Sequence, residues 1–148
     1  STSLTVATHA GRIVHNDAAG AVTYTLPAVN ATADSGISGP GPSLDNLSNV
    51  GATFTIINSI TKTGSLIVQV ANSTDVMSGG AFYIDDTSDN VVGFETVAAS
   101  DTITLNGTDT GGVTYAKIVC TVLGTGLWSV SVHTGCTGSP ATCFSAAV

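Results

Sequence analysis

Short apolar runs separated by turn residues make up the pattern along the chain. The runs are rich in Val, Ile, Thr and Tyr, the intervening residues are Gly, Asn, Asp and Ser, and no stretch keeps the spacing of an amphipathic helix. The pattern predicts strands at 12–16, 21–26, 52–59, 65–71, 81–85, 95–98, 102–106, 114–123 and 127–133. We therefore predict an all-β chain.

Alternation within a strand predicts which side chains are buried. In the last run, apolar residues alternate with polar ones: Trp128, Val130 and Val132 against Ser129, Ser131 and His133. Such alternation is typical of a strand with one face in a core and the other toward solvent. We expect the Trp128 face to lie in the core or at a subunit interface.

Two short glycine-containing segments between neighbouring runs predict hairpins. Residues 17–20 would connect the first two strands, and residues 124–126 the last two, since glycine adopts a positive φ without strain. Residues 28–50 are rich in Pro, Gly and Asn and show no strand pattern. Because stretches of that length are commonly functional or interface loops, we predict a projecting loop there.

About nine short strands in a chain of 148 residues fit one domain, residues 1–148. We predict a single-domain antiparallel β-sandwich or an irregular β-barrel. Both architectures leave edge strands, which proteins usually protect with charges or Pro. Only 9% of the residues are charged, so we expect neighbouring subunits to cover the edges.

The charge composition argues against two classes of partner. The net charge is −7 at pH 7, and Arg12, Lys62 and Lys117 are the only Arg and Lys residues. Neutralising phosphates requires several clustered cations, so we expect no nucleic-acid partner. The sequence has no apolar run long enough to span a bilayer and no basic amphipathic face, so we expect no membrane partner.

Few residues offer catalytic or metal-binding chemistry. The sequence contains no nucleophile elbow, no zinc-protease motif and no phosphate-binding loop. His9, His15 and His133 would form a metal site only if the fold or an oligomer axis brought them together. The acidic segment 85–89 could supply calcium ligands but is more typical of an Asn/Asp-rich turn. We predict no enzymatic activity, no metal and no cofactor.

The three cysteines allow two interpretations. Cys136 and Cys143 flank a segment with Gly and Pro that is suited to a turn, so the pair is either a disulfide or two free thiols. Cys120 lies within an apolar run, where a buried free thiol is expected.

Three stretches share a further pattern of apolar, turn and hydroxyl positions. They are LTVATHAGR with NDAAG and TYTLP in 4–27, SLIVQVAN with DVMSGG in 65–80, and TVAASDTITLNG with TGG in 96–112, followed by Trp128 and the FSA at 144–146. This pattern resembles that of phage head decoration proteins, also called capsid cement proteins. The chain departs from it near the end, where the two cysteines of the 136–143 turn have no counterpart in relatives.

The resemblance implies a non-enzymatic virion protein that binds the outer capsid surface and stabilises the shell. It implies the major capsid protein as partner, a homotrimer, and synthesis in the host cytoplasm before assembly. The joint appearance of Cys136 and Cys143 in one loop of such a protein favours a bridge formed after release into an oxidising medium. The alternative is a carbohydrate- or receptor-binding module of a phage fibre or adhesin, with residues 28–50 or 85–89 contacting glycans.

Overall fold

β-branched and aromatic residues at alternating positions make nearly every regular element a strand. The structure is a computed structural model that describes residues 1–30 and 48–148. The elements are β1 (Thr2–Ser3), α1 (Val6–His9), β2 (Ile13–Asn16), β3 (Val22–Thr25), β4 (Thr53–Asn58), β5 (Leu66–Gln69), β6 (Val76–Asp85), β7 (Val91–Glu95), β8 (Thr102–Leu105), β9 (Lys117–Gly124), β10 (Leu127–Cys136) and β11 (Phe144–Ser145).

The strands form two mixed sheets. The five-stranded sheet has the order β1-β3-β5-β8-β11, and the six-stranded sheet has the order β2-β4-β9-β10-β6-β7. The long β10 runs antiparallel to β9 on one side and parallel to β6 on the other. Strands β1, β3 and β5 are parallel to one another, as are β2 and β4.

The inner faces of the two sheets enclose one hydrophobic core. Alternate residues of the central strands are buried, as the pattern in 127–133 predicts: Trp128 and Val132 are fully buried and Val130 is 3% exposed. The Trp128 ring packs against Phe54 of β4 with ring centroids 5.8 Å apart. Leu66, Val68, Ile103 and Leu105 of the five-stranded sheet complete the opposite side of this core.

The all-β, sandwich-like fold is confirmed, and the predicted antiparallel pairing is corrected. Four of the strand pairs are parallel, because several connections cross from one sheet to the other instead of turning back. The hairpin predicted at 124–126 is confirmed, with Gly126 at a φ of 62°. The hairpin predicted at 17–20 is wrong, since β2 and β3 belong to different sheets.

Residues 62–64 hold the 17–20 connection where it passes from one sheet to the other. The backbone N–H groups of Thr63 and Gly64 donate to the Ala19 carbonyl at 2.9 and 3.1 Å. The Lys62 ammonium donates to the carbonyls of Ala18 and Gly20. These tertiary contacts, separated by more than forty residues along the chain, override the local hairpin signal.

Strand boundaries differ from the predicted ones where glycine interrupts the pattern. The strand predicted at 81–85 begins at Val76, because Gly79 and Gly80 lie within β6. The strand predicted at 95–98 is shifted to 91–95, where Gly93 hides the pattern. The two-residue strands β1 and β11 and the single-turn α1 are too short for a periodic signal.

The loop predicted at 28–50 falls largely on residues 31–47, which lie outside the described residues. Its two ends are held together. Asn49 N–H donates to the Asn30 carbonyl at 2.8 Å, and the Asn30 N–H donates to the Asn49 side-chain oxygen at 2.8 Å. The Asn49 amide also donates to the Ala28 carbonyl at 2.9 Å. Residues 28–30 and Asn49 therefore lie side by side on the sandwich.

Candidate functional site

The outer face of the six-stranded sheet carries large apolar side chains in contact with solvent. Phe82 and Ile84 of β6 are 56% and 38% exposed, and Val91 of β7 is 70% exposed. These residues share one face, because Phe82 lies opposite Gly93 and Ile84 lies opposite Val91 in the β6–β7 pair. At the other edge of the sheet, Ile13 of β2 is 63% exposed. We name the outer surface of this sheet the apolar face. Ser, Thr and Lys side chains of β4, β9 and β10 lie between Ile13 and Phe82.

Aromatic rings occupy the centre of the apolar face. Phe82 is level with His133 across the parallel β6–β10 pair. The His133 ring lies 6.5 Å from the Tyr115 ring, centroid to centroid. The Tyr115 hydroxyl covers the backbone of Gly135, where an added Cβ would lie 2.3 Å from that oxygen. Tyr115, His133 and Phe82 thus lie in one exposed row.

A groove runs along β6 and β7 beside this row. Its volume is about 670 Å³, and its lining includes three glycines, Gly79, Gly80 and Gly93. Gly79 has a φ of 155°, and a Cβ there would lie 1.8 Å from the Val130 carbonyl oxygen, so only glycine fits. Glu95 and Phe94 are among the other residues that line the groove. The groove therefore exposes both backbone and apolar surface.

The outer face of the five-stranded sheet differs in chemistry. Its side chains on β3, β5 and β8 are half-buried and mostly polar: Thr23, Thr25, Ile67, Gln69 and Thr104. Hydroxyl and amide groups on a sheet surface can form their hydrogen bonds with water and need no protein partner. This surface, the hydroxyl face, is an internal control for any function assigned to the apolar face.

The acidic segment 85–89 forms the turn between β6 and β7. The Asp85 carboxylate accepts hydrogen bonds from the Thr87 N–H at 3.0 Å and the Ser88 hydroxyl at 2.7 Å. The Ser88 bond, followed by the Thr87 bond, lowers the pKa of Asp85 below its usual value. Asp89 adopts a φ of 55°, which closes the turn. The segment has the geometry of an Asx turn.

The three histidines lie in different parts of the fold. His9 is in α1, where its Nδ1 accepts the Thr5 N–H at 2.9 Å. His15 lies on β2 and His133 on β10. Over residues 1–30 and 48–148, no group of three or more His, Cys, Asp or Glu side chains has the arrangement to hold a metal ion.

All three cysteines are buried free thiols in the structure. Cys136 and Cys143 both lie near the buried Tyr83 hydroxyl, and their thiols contribute to raising the Tyr83 pKa behind the larger effect of burial. Burial raises the pKa of Cys143 to about 11 and that of Cys120 to about 12. The pairing of Cys136 with Cys143 stays a prediction, and their common neighbour places both thiols in one region of the core.

A buried polar cluster closes the end of the sandwich near the 17–20 connection. Asn16 donates to the Asn58 side-chain oxygen at 2.7 Å, and Asn58 donates to the Gly112 carbonyl at 3.1 Å. Lys62 is 3% exposed, and its burial lowers its pKa. Within residues 1–30 and 48–148, the hydrogen bonds of the Lys62 ammonium all go to backbone carbonyl oxygens, those of Ala18 and Gly20. The cluster ties loops to strands and has a structural role.

Sequence reasoning missed the exposed positions on β6, β7 and Tyr115. Ala81, Phe82, Tyr83 and Ile84 are apolar in succession, so periodicity predicts a strand without indicating its buried face. The signal in the sequence was that apolar residues occupy both odd and even positions directly after two glycines, so that one apolar set must lie on the outer face. Tyr115, within the strand predicted at 114–123, precedes β9 and is 53% exposed.

Comparison of the chain with protein-family models, with curated proteins and with solved structures found no match. Among the described residues, no helix has both the length and the apolar character needed to cross a bilayer.

Proposed function

We propose that the protein is a non-enzymatic virion protein that binds the outer surface of a phage capsid and stabilises the shell. The observation that carries the proposal is the difference between the two outer faces. Large exposed apolar patches on soluble proteins mark interaction surfaces. The apolar face, with Phe82, Ile84 and Val91 exposed, is suited to burial against the major capsid protein, while the hydroxyl face is suited to solvent.

Repeated weak contacts suit this task. A decoration protein that acts as a homotrimer binds through several copies of one surface at once, so modest contacts add through avidity. The low content of charged residues, 9%, leaves the binding dependent mainly on apolar and hydrogen-bonding contacts. Binding should therefore vary only mildly with salt.

The test is rebinding to virions stripped of this protein. Wild-type protein should rebind and raise the particles' resistance to heat or osmotic shock. Phe82→Asp should weaken rebinding, whereas Thr104→Asp, which adds the same charge to the hydroxyl face, should not. Protein that does not rebind, or two variants that lose binding equally, would contradict the proposal.

A second candidate is a glycan- or receptor-binding module, favoured by the row of Tyr115, His133 and Phe82. Exposed aromatic rings present an apolar face and a polar rim of the kind that sugars stack on. A glycan array distinguishes the two functions. A defined glycan whose binding is lost in Tyr115→Ser, in protein that ignores stripped virions, would favour this module.

A further inference from the structure

The two edges of the six-stranded sheet are not covered by another strand in the described part of the chain, and they differ chemically. β7 and β2 lie at opposite ends of the strand order. Edge strands expose a row of backbone donors and acceptors that can pair with another chain. Neither strand contains Lys or Pro, the residues that most often prevent such pairing, and Glu95 is the single acidic residue in them.

The hydrogen-bond pattern between β6 and β7 shows which backbone N–H and C=O groups of β7 face away from the sheet. Asp85 N–H donates to the Asn90 carbonyl at 3.0 Å, and Thr96 N–H donates to the Gly79 carbonyl at 3.1 Å. Because bonded and non-bonded residues alternate in an antiparallel pair, Val92 and Phe94 face β6. Val91, Gly93 and Glu95 therefore direct their backbone groups away from the sheet.

The same reasoning applies to β2. The Asn16 carbonyl accepts the Ser59 N–H at 2.9 Å, so Asn16 and Val14 face β4. Ile13 and His15 direct their backbone groups outward. In the part of the chain that the structure describes, no backbone hydrogen bond from another strand reaches the outward groups of either edge.

The two edges carry different charges. The β6–β7 hairpin carries Asp85, Asp86, Asp89 and Glu95, four of the ten acidic residues of the chain. The β2 edge lies between the exposed Arg12, the only Arg, and the exposed Asp17, and an antiparallel β7 would place Glu95 at the Arg12 end. Pairing β7 with β7 of a second copy would bring eight carboxylates together, so the charges favour β7 against β2.

Shape and direction agree with this choice. Successive pairings make β2 and β6 run in the same direction and β7 in the opposite one. Copies related by rotation about an axis along the strands would therefore meet with β7 antiparallel to β2. Ile13 supplies an apolar side chain, and Gly93 offers a bare backbone next to the groove, where an added Cβ would meet only the Ala81 carbonyl at 4.0 Å.

We propose that β7 of one copy pairs antiparallel with β2 of a second copy, so that the six-stranded sheets continue from copy to copy in a closed ring. Heterologous contacts of this kind close into rings when the rotation between copies is a simple fraction of a turn. The edge pairing is independent of the capsid, and only the number of copies, three, rests on the proposed function.

Two edge variants and their mixture test the pairing. Gly93→Lys blocks β7 and leaves β2 intact, while Ile13→Lys blocks β2 and leaves β7 intact. Each variant alone should be monomeric at concentrations where the wild type is assembled, by light scattering after size exclusion. Mixed together, they should form a 1:1 dimer through the intact pair of edges, and the two lysine-bearing edges should not join.

Leu123→Lys is the matched control, because Leu123 is 53% exposed on β9 in the interior of the strand order. It should assemble like the wild type, and circular dichroism should show all variants folded. A monomeric wild type, an Ile13→Lys variant that still assembles, or a mixture that stays monomeric would overturn the pairing. An assembled wild type that ignores stripped virions would instead overturn the proposed function alone.

Discussion

The two sheets share one core and present opposite chemistry to their surroundings. Their inner faces are alike, with Trp128 and Val132 on one side and Leu66 and Val68 on the other fully buried. Their outer faces differ, since the five-stranded sheet shows mainly Thr and Gln, whereas β6 and β7 of the six-stranded sheet show Phe82, Ile84 and Val91. The core explains the inner residues of both sheets, and the proposed capsid contact would account for the exposed apolar residues of one.

The edge strands of the two sheets also differ. The five-stranded sheet ends in β1 and β11, each of two residues, which leaves little backbone for pairing. The six-stranded sheet ends in β2 and β7, of four and five residues. Short edge strands are one way in which proteins avoid uncontrolled association. The sheet with the apolar face is thus also the sheet with edges long enough to pair.

The largest expected effect separates the inner from the outer face of the six-stranded sheet. Trp128→Ala removes a fully buried side chain that packs on Phe54, and should lower the free energy of unfolding by about 3–5 kcal/mol. Tyr115→Ala, on the outer side, should change it by less than about 1 kcal/mol. Denaturant titration of both variants checks this, and equal losses would contradict the assignment of faces.

The sequence predicted the strands better than their partners. Alternation in 127–133 correctly assigned the Trp128 face, because one parity is apolar and the other polar. It could not assign the face of 81–85, where both parities are apolar. Strand order depends on contacts between distant residues, such as Lys62 with Ala18, which no local pattern records. The apolar face was missed for this reason, since it exists only once β6, β7 and β10 are side by side.

The next effect concerns the cysteines at the junction of the sheets. Oxidised protein should contain a Cys136–Cys143 bridge and a free Cys120, and the short loop should add about 2–3 kcal/mol of stability over the reduced form. Alkylation in denaturant without reductant, followed by mass spectrometry, should modify one cysteine. Three modified cysteines in air-oxidised protein would show that no bridge forms.

A smaller effect on stability should appear at acidic pH, and it comes from Asp101, which directly precedes β8. Burial alone would raise the Asp101 pKa, but hydrogen bonds from the Ala147 N–H at 2.7 Å, the Thr102 hydroxyl at 2.7 Å and the Val148 N–H at 3.2 Å outweigh it and lower the pKa. A lowered pKa in the folded state contributes stability above the unfolded value near 3.8, and this stability is lost as the pH falls through the folded value.

Asp101→Asn should therefore make the free energy of unfolding less dependent on pH below about 4. The pH dependence that remains should come from the other carboxylates. Thermal unfolding followed between pH 2 and pH 7, at values chosen to bracket that range, measures the difference. Asp109→Asn is the control, since Asp109 is an exposed carboxylate in the same half of the sequence. Identical acid profiles for Asp101→Asn and the wild type would contradict the role of the hydrogen bonds.

The smallest effect on folding is also the sharpest test of the comparison between the outer faces. Phe82→Thr gives the apolar face the residue type that dominates the hydroxyl face. Because Phe82 is 56% exposed, the change should alter the free energy of unfolding by about 0.5 kcal/mol or less. If the side chain is kept for contact with another molecule, the same variant should lose binding to stripped virions while its denaturation midpoint stays constant. A large loss of stability with unchanged binding would mean that Phe82 serves the fold, and the two outer faces would then differ for reasons internal to the sandwich.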